Sequence, residues 1–200
     1  MTVMPSPSHP APLAPGRRAL ILASALCFVG AAQAAGGTKL TFNFDAGPEF
    51  GSTPFVQTSG GVSATVSATG RGYSLQRANV LGWTPKGFSG LIVYPNSIDA
   101  SDLIFAFSHP LSTFSIKFAP EEYGCDSSAT LQVQAWRGDI LVGTATGQAK
   151  HPGTWPTGQL VFKSTKPFDT VVVHYLLPPP TGGDWGPIFL ADMMKVTLAP

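Results

Sequence analysis

The chain has 200 residues, with twelve Lys and Arg against eleven Asp and Glu and a formal net charge of +1. Setting aside Arg17 and Arg18, which precede the first apolar run, leaves ten basic residues against eleven acidic ones, a near-neutral composition with no electrostatic footprint for nucleic acid or an anionic membrane surface. The residues after position 34 suffice for one domain with a sizeable core and are short for two.

Taken in chain order, the first element is residues 17 to 34, RRALILASALCFVGAAQA. Two arginines, an apolar run and the small-residue triplet Ala32-Gln33-Ala34 have the pattern of a secretory signal cleaved after Ala34. The run from Ala19 to Ala32 is shorter than the about 20 residues that a spanning helix needs, and Ser24 and Gly30 interrupt it. The mature chain is therefore expected to be secreted, periplasmic or extracellular, without a membrane span. Cys125 is the one cysteine that follows the leader, so no internal disulfide is expected. The organisation read from the sequence is a signal peptide over residues 1–34 and a single β domain over 35–200.

Beyond the leader the apolar residues recur at every second position, the rhythm of strands with one buried face. Leu40, Phe42 and Phe44 alternate with polar neighbours, as do Val62, Ala64, Val66 and Ala68, then Leu103, Phe105 and Phe107, then Phe114, Ile116 and Phe118. Leu131, Val133 and Ala135 continue the pattern, followed by Leu160 and Phe162, by Val171, Val173 and Tyr175, and by Ile188 to Leu198. About nine strands result, separated by turn clusters such as Gly60-Gly61, Pro95-Asn96, Pro152-Gly153 and Pro178 to Gly183. Arg137-Gly138-Asp139 reads as a hairpin turn. No stretch carries a helical stripe. The expected fold is an all-β, antiparallel two-sheet β-sandwich, jelly-roll-like, because two sheets packed face to face bury many one-sided strands.

One position breaks the last strand. In IFLADMMKVTL the core-facing phase runs Ile188, Leu190, Asp192, Met194, Val196 and Leu198, which aligns a carboxylate with apolar side chains. A buried carboxylate needs a partner or a proton. Two readings stay open: a ligand for a hard cation such as calcium, or an Asp at a bulge or strand entrance that turns outward or caps backbone N–H groups.

For glycan binding, flat apolar rings must sit beside hydrogen-bonding groups. Trp136 falls on the opposite phase from Leu131, Val133 and Ala135, together with Gln132 and Gln134, which gives a polar face with an indole on it. That indole serves as a sugar platform, lies under a loop that covers the face, or flanks the Arg137-Gly138-Asp139 turn. Trp83, Trp155 and Trp185 occupy Gly- and Pro-rich loops, where they either present rings to a ligand or plug the ends of the core. Catalysis has little support. Glu121 and Glu122 are adjacent and would point to opposite sides of an extended segment, and no histidine pair has zinc-ligand spacing.

The opening FNFDAGPEF and the closing FLADMMKVTL resemble the first and last strands of bacterial extracellular jelly-roll modules of the carbohydrate-binding type. HPLSTFSIKFAP and ATLQVQAWRGDILVGTATG are similar to sandwich domains of secreted bacterial proteins that often carry a C-terminal surface-sorting tail, although surface anchoring by that route is not expected here. The resemblance implies a secreted binding module for polysaccharide or another glycan, with Asp45 and Asp192 sharing a structural calcium. Met193 stands where a second Asp or Asn is frequent in such modules. Ligand-binding candidates are then Trp136, Gln132, Gln134, Trp185 and Trp155. The alternative is a matrix-type extracellular or envelope protein acting through protein contacts. A polysaccharide hydrolase or lyase using Glu121 or Glu122 ranks behind both.

Overall fold

The two-residue alternation becomes antiparallel strands throughout the residues that the computed structural model describes, 37–121, 129–150, 155–177 and 187–200. These are β1 (Lys39–Phe42), β2 (Phe55–Ser59), β3 (Val62–Ala68), β4 (Tyr73–Arg77), β5 (Leu91–Pro95), β6 (Leu103–Pro120), β7 (Thr130–Arg137), β8 (Ile140–Gln148), β9 (Gly158–Leu177) and β10 (Phe189–Leu198). The described residues contain no helix. The signal segment, Glu122, Cys125 and Trp185 lie outside the described residues.

Hydrogen bonds join the strands in the order β4-β5-β10-β6-β9-β7-β8, with β1 on β10, β3 on β6 and β2 on β3. The ladder is continuous because β6 and β9 are long enough to serve two sets of neighbours. The first half of β6, Leu103 to Phe107, pairs with β3, and its second half, Leu111 to Pro120, pairs with β10. β9 follows β6 along both halves, with register shifts between Ala106, Leu111 and Thr113. These shifts reverse the parity of the buried side chains. Leu103, Phe105 and Phe107 point inward before them, and Phe114, Ile116 and Phe118 after them. Segments that look like separate strands in the sequence are thus one bent strand running through His109 and Pro110.

The turns obey local chemistry. Gly60 and Gly61 join β2 to β3 with φ of 55° and 79°, and Gly138 starts the β7–β8 turn with φ of 55°, conformations that glycine adopts without a Cβ penalty. Thirty-odd apolar side chains from every strand meet in one core, including Phe44, Phe105, Phe114, Phe118, Phe168 and Phe189, all fully buried. A smaller cluster of Ala78, Phe88, Ile92, Ala119 and Leu190 packs beneath the segment between β4 and β5.

The smaller cluster corrects the phase expected for the last strand. Phe189 and Ala191, rather than Leu190 and Asp192, share the main core with Met194 and Val196. Met193 adopts a left-handed φ of 52°, and the register with β6 shifts between Asp192 and Lys195. This bulge flips the alternation by one residue. Asp192 is therefore buried on the opposite face, under the β4–β5 segment.

Candidate functional site

The first cluster joins the two ends of the sequence. Asp192 is fully buried, and its carboxylate accepts hydrogen bonds from the backbone N–H of Ser89 at 3.1 Å and of Met193 at 2.6 Å. Asp45 follows β1 beyond Phe44, whose own φ of 64° turns the chain. Its carboxylate accepts the N–H of Leu91 at 2.7 Å and the side-chain amide of Asn43 at 2.8 Å. Lys117 pairs with Asp192 across the β6–β10 ladder and donates to the carbonyl of Gly87 at 2.9 Å. Asp192 of β10, Lys117 of β6 and Asp45 in the turn after β1 thereby hold Gly87, Ser89 and Leu91, alternate residues that run from the loop into the first position of β5. Gly90 between them has a φ of 62°, and a Cβ there would meet the Asp45 carboxylate. A side chain at this position would be strained by about 1–2 kcal/mol from its conformation alone.

The resemblance brings Asp45 and Asp192 together, and the structure places their charges close enough to interact. Burial pushes the Asp192 carboxyl up from 3.8 to about 6, the two backbone N–H groups oppose that rise, Asp45 adds to it and Lys117 opposes it. The arrangement performs the capping that a bulge Asp can offer. Its chemistry, two neighbouring carboxylates with oxygen lone pairs beyond those used by N–H groups, also suits a hard cation. Among the described residues no group of three or more His, Cys, Asp or Glu converges. Ser89, Leu91 and Lys117 were not legible as partners, since the sequence separation from Asp192 to Ser89 is 103 residues.

The raised carboxyl has a definite linkage sign. The native state holds its proton more tightly than the unfolded chain, so this group's contribution to stability falls as pH rises between 3.8 and about 6, then levels off. Chemical unfolding in chelator from pH 4 to pH 8 is expected to show this decline as a difference between the parent and Asp192→Asn. Parallel profiles for the two proteins would contradict it.

The second cluster lies on the outer face of β7. Gln132 and Gln134 are half-buried, and the Gln134 amide donates to the Gln132 amide oxygen at 2.9 Å. Trp136 lies next along this face, opposite Leu141 of β8 and Thr170 of β9. Its ring is half-buried, and its indole N–H has no hydrogen-bond partner among the described residues. The same face carries Thr144 and Thr146 from β8 and His174 from β9, whose Nδ1 lies 2.6 Å from the Asp102 carboxylate. Arg137, the next residue along β7, pairs with Asp169 at 2.9 Å. The result is an outer face with a half-buried ring, half-buried amides, exposed threonine hydroxyls and the His174–Asp102 contact.

Trp155 is placed differently. Its ring stacks on Trp83 at 3.8 Å with 23° between planes, its N–H donates to the Pro120 carbonyl at 2.6 Å, and it packs against the smaller cluster. One of its faces is thus covered by Trp83. The structure does not bring Trp155 to the Gln132, Gln134 and Trp136 face. Glu121 is buried beside a cavity of about 210 Å³ lined also by Tyr94, Asn96 and Ile188, and the Tyr94 hydroxyl donates to it at 3.3 Å. Burial raises its carboxyl and the Tyr94 bond partly opposes this.

No protein-family model and no curated protein sequence matches the chain. Among solved structures, the chain is similar to the CBM51-2 and INT domains from Clostridium perfringens ZmpB, with 10% identity and a TM-score of 0.36. The match covers 72% of this chain and 40% of that one. Among the described residues no helix is long and apolar enough to cross a membrane.

Proposed function

We propose that this chain is an exported, non-catalytic binding module that takes neutral polysaccharide on the outer face of β7, with a structural calcium at Asp45 and Asp192. The observation that carries the reading is the row Gln132, Gln134 and Trp136, a half-buried indole in line with paired amides on the outer face of the sheet. A pyranose ring presents an apolar face to stack on the indole and hydroxyls for the amides and threonines. Calcium would bind the Asp45 and Asp192 carboxylates and relieve their mutual repulsion. At a hundred times its dissociation constant it would stabilise the fold by about 2.7 kcal/mol.

Affinity electrophoresis of the mature chain through gels containing neutral polysaccharides tests the binding. Trp136→Ala is expected to weaken retention at least tenfold, equivalent to about 1.4 kcal/mol. Migration unchanged by every polymer would refute the glycan reading.

A second reading rests on the edge of the sheet. β8 pairs with β7 alone among the described strands and leaves Ile140 70% and Leu141 47% exposed. An edge of this kind can add a strand from another chain. Self-association that rises with concentration and disappears in Leu141→Lys would favour a matrix role over polysaccharide binding.

A further inference from the structure

The near-neutral charge of the chain conceals a local asymmetry. Across β1, β10, β6 and β9 the register aligns Lys39, Thr197, Thr113 and Lys163 in one row and Thr41, Lys195, Ser115 and Val161 in the next. These side chains line an open groove of about 340 Å³ on the halves of β6 and β9 remote from Trp136, and no acidic residue lines it. Lys39, Lys163 and Lys195 are exposed, and none forms an ion pair among the described residues. Adjacent strands lie about 4.8 Å apart, so Lys39 and Lys163 are separated by about 14 Å across the sheet, with Lys195 in the next row on β10, one of the two strands between them. Like charges so arranged repel and contribute nothing to the fold. A polyanion laid across the groove would remove that repulsion.

We propose that this groove binds a carboxylated polysaccharide of the polyuronate type. Three lysines on three of four adjacent strands provide isolated positive charges, with hydroxyls between them and the Gln159 amide farther along the groove. That spacing matches a polymer with one carboxylate per sugar ring and hydroxyls elsewhere. The Thr113 hydroxyl donates to the Thr197 oxygen at 2.7 Å, which leaves the Thr197 hydroxyl proton free for a ligand oxygen. Val161, 44% exposed, gives the ring carbons an apolar contact. Nucleic acid fits less well, because the lining has no arginine and no outward aromatic ring on which bases could stack. The site is separate from the Trp136 face, and the proposal stands or falls independently of neutral-glycan binding.

The test is affinity electrophoresis of the full mature chain in polygalacturonate, in its fully methyl-esterified form, in a sulfated polysaccharide and with single-stranded DNA. Retention by polygalacturonate is expected to fall as ionic strength rises and to weaken at least tenfold in Lys39→Gln/Lys195→Gln, whose circular dichroism should match the parent. Trp136→Ala should leave this retention unchanged, and the esterified polymer should not retain that variant. Failure of polygalacturonate to retain the parent, retention unaffected by the lysine changes, or equal or stronger retention by the sulfated polymer or DNA would overturn the proposal.

Discussion

Phe114→Ala is expected to lower the free energy of unfolding by about 3–5 kcal/mol, the range for removing a buried aromatic ring. The ring is fully buried at the middle of β6, with the rings of Phe105 and Phe107 at 5.7 and 6.4 Å. Its strand partners are Val196 on β10 and Phe162 on β9, both buried. It therefore sits just after the step where β6 changes parity, and it is the first side chain to restore the inward phase. Alanine would leave a cavity bounded by the three strands that carry the ladder from one half of the fold to the other. Domains of this size have only about 5–15 kcal/mol of stability, so the midpoint of thermal unfolding should drop on the order of 10 °C. Phe50→Ala is the matching control, because that ring is 69% exposed. A loss below about 1 kcal/mol in denaturant titration would show that Phe114 does not fill the core.

Asp192→Ala is expected to have the next largest effect, a loss of about 2–4 kcal/mol in the presence of calcium. Two backbone N–H groups, of Ser89 and of Met193 at the bulge, would lose their acceptor. Each such loss costs about 1–3 kcal/mol when water cannot replace the acceptor. Relief of the carboxylate's own desolvation offsets part of this. The consequence extends to the loop from Gly87 to Leu91, which Asp192, Asp45 and Lys117 hold jointly. Loosening should appear as faster amide hydrogen exchange at Ser89 and Leu91, with β7 and β9 unchanged. The same substitution should abolish any rise in thermal midpoint on adding calcium. A midpoint that still rises with calcium in Asp192→Ala would remove this residue from the metal reading, while leaving its capping role in place.

Much of the β architecture was written in the alternation itself. Val62 to Ala68 and Leu131 to Ala135 have the buried and outward faces that their sequences announce, and Gly60-Gly61 and Gly138 turn where glycine permits. What alternation cannot report is where its own phase slips. The left-handed Met193 gives no warning in sequence, so Leu190 and Asp192 were read on the face that Phe189 and Ala191 occupy. The passage of β6 through His109 and Pro110 was equally hidden, since proline usually marks a break. Short strands such as β4 and β5 lacked a clear polar face, because Ser74 is itself buried and both Ile92 and Val93 are too.

The candidate sites divided along the same line. Trp136, Gln132 and Gln134 share a face because they lie two residues apart on one strand, a relation that sequence contains. Asp45 and Asp192 were joined only through a resemblance, and the partners Ser89, Leu91 and Lys117 come from elements far apart in the chain. The lysine groove was invisible for a related reason. Lys39, Lys163 and Lys195 are brought together by cross-strand register, and a net charge near zero averages them away.

The central claim, that the indole of Trp136 is a sugar platform, is tested most directly by following the indole N–H resonances of nitrogen-15-labelled protein spanning residues 35–200 during titration with soluble neutral oligosaccharides. The account predicts that the Trp136 signal, with those of the Gln132 and Gln134 side-chain amides, moves with a saturable dependence on sugar while the Trp155 signal stays in place. Saturable shifts confined to Trp83 and Trp155, or no shift with any oligosaccharide, would contradict it.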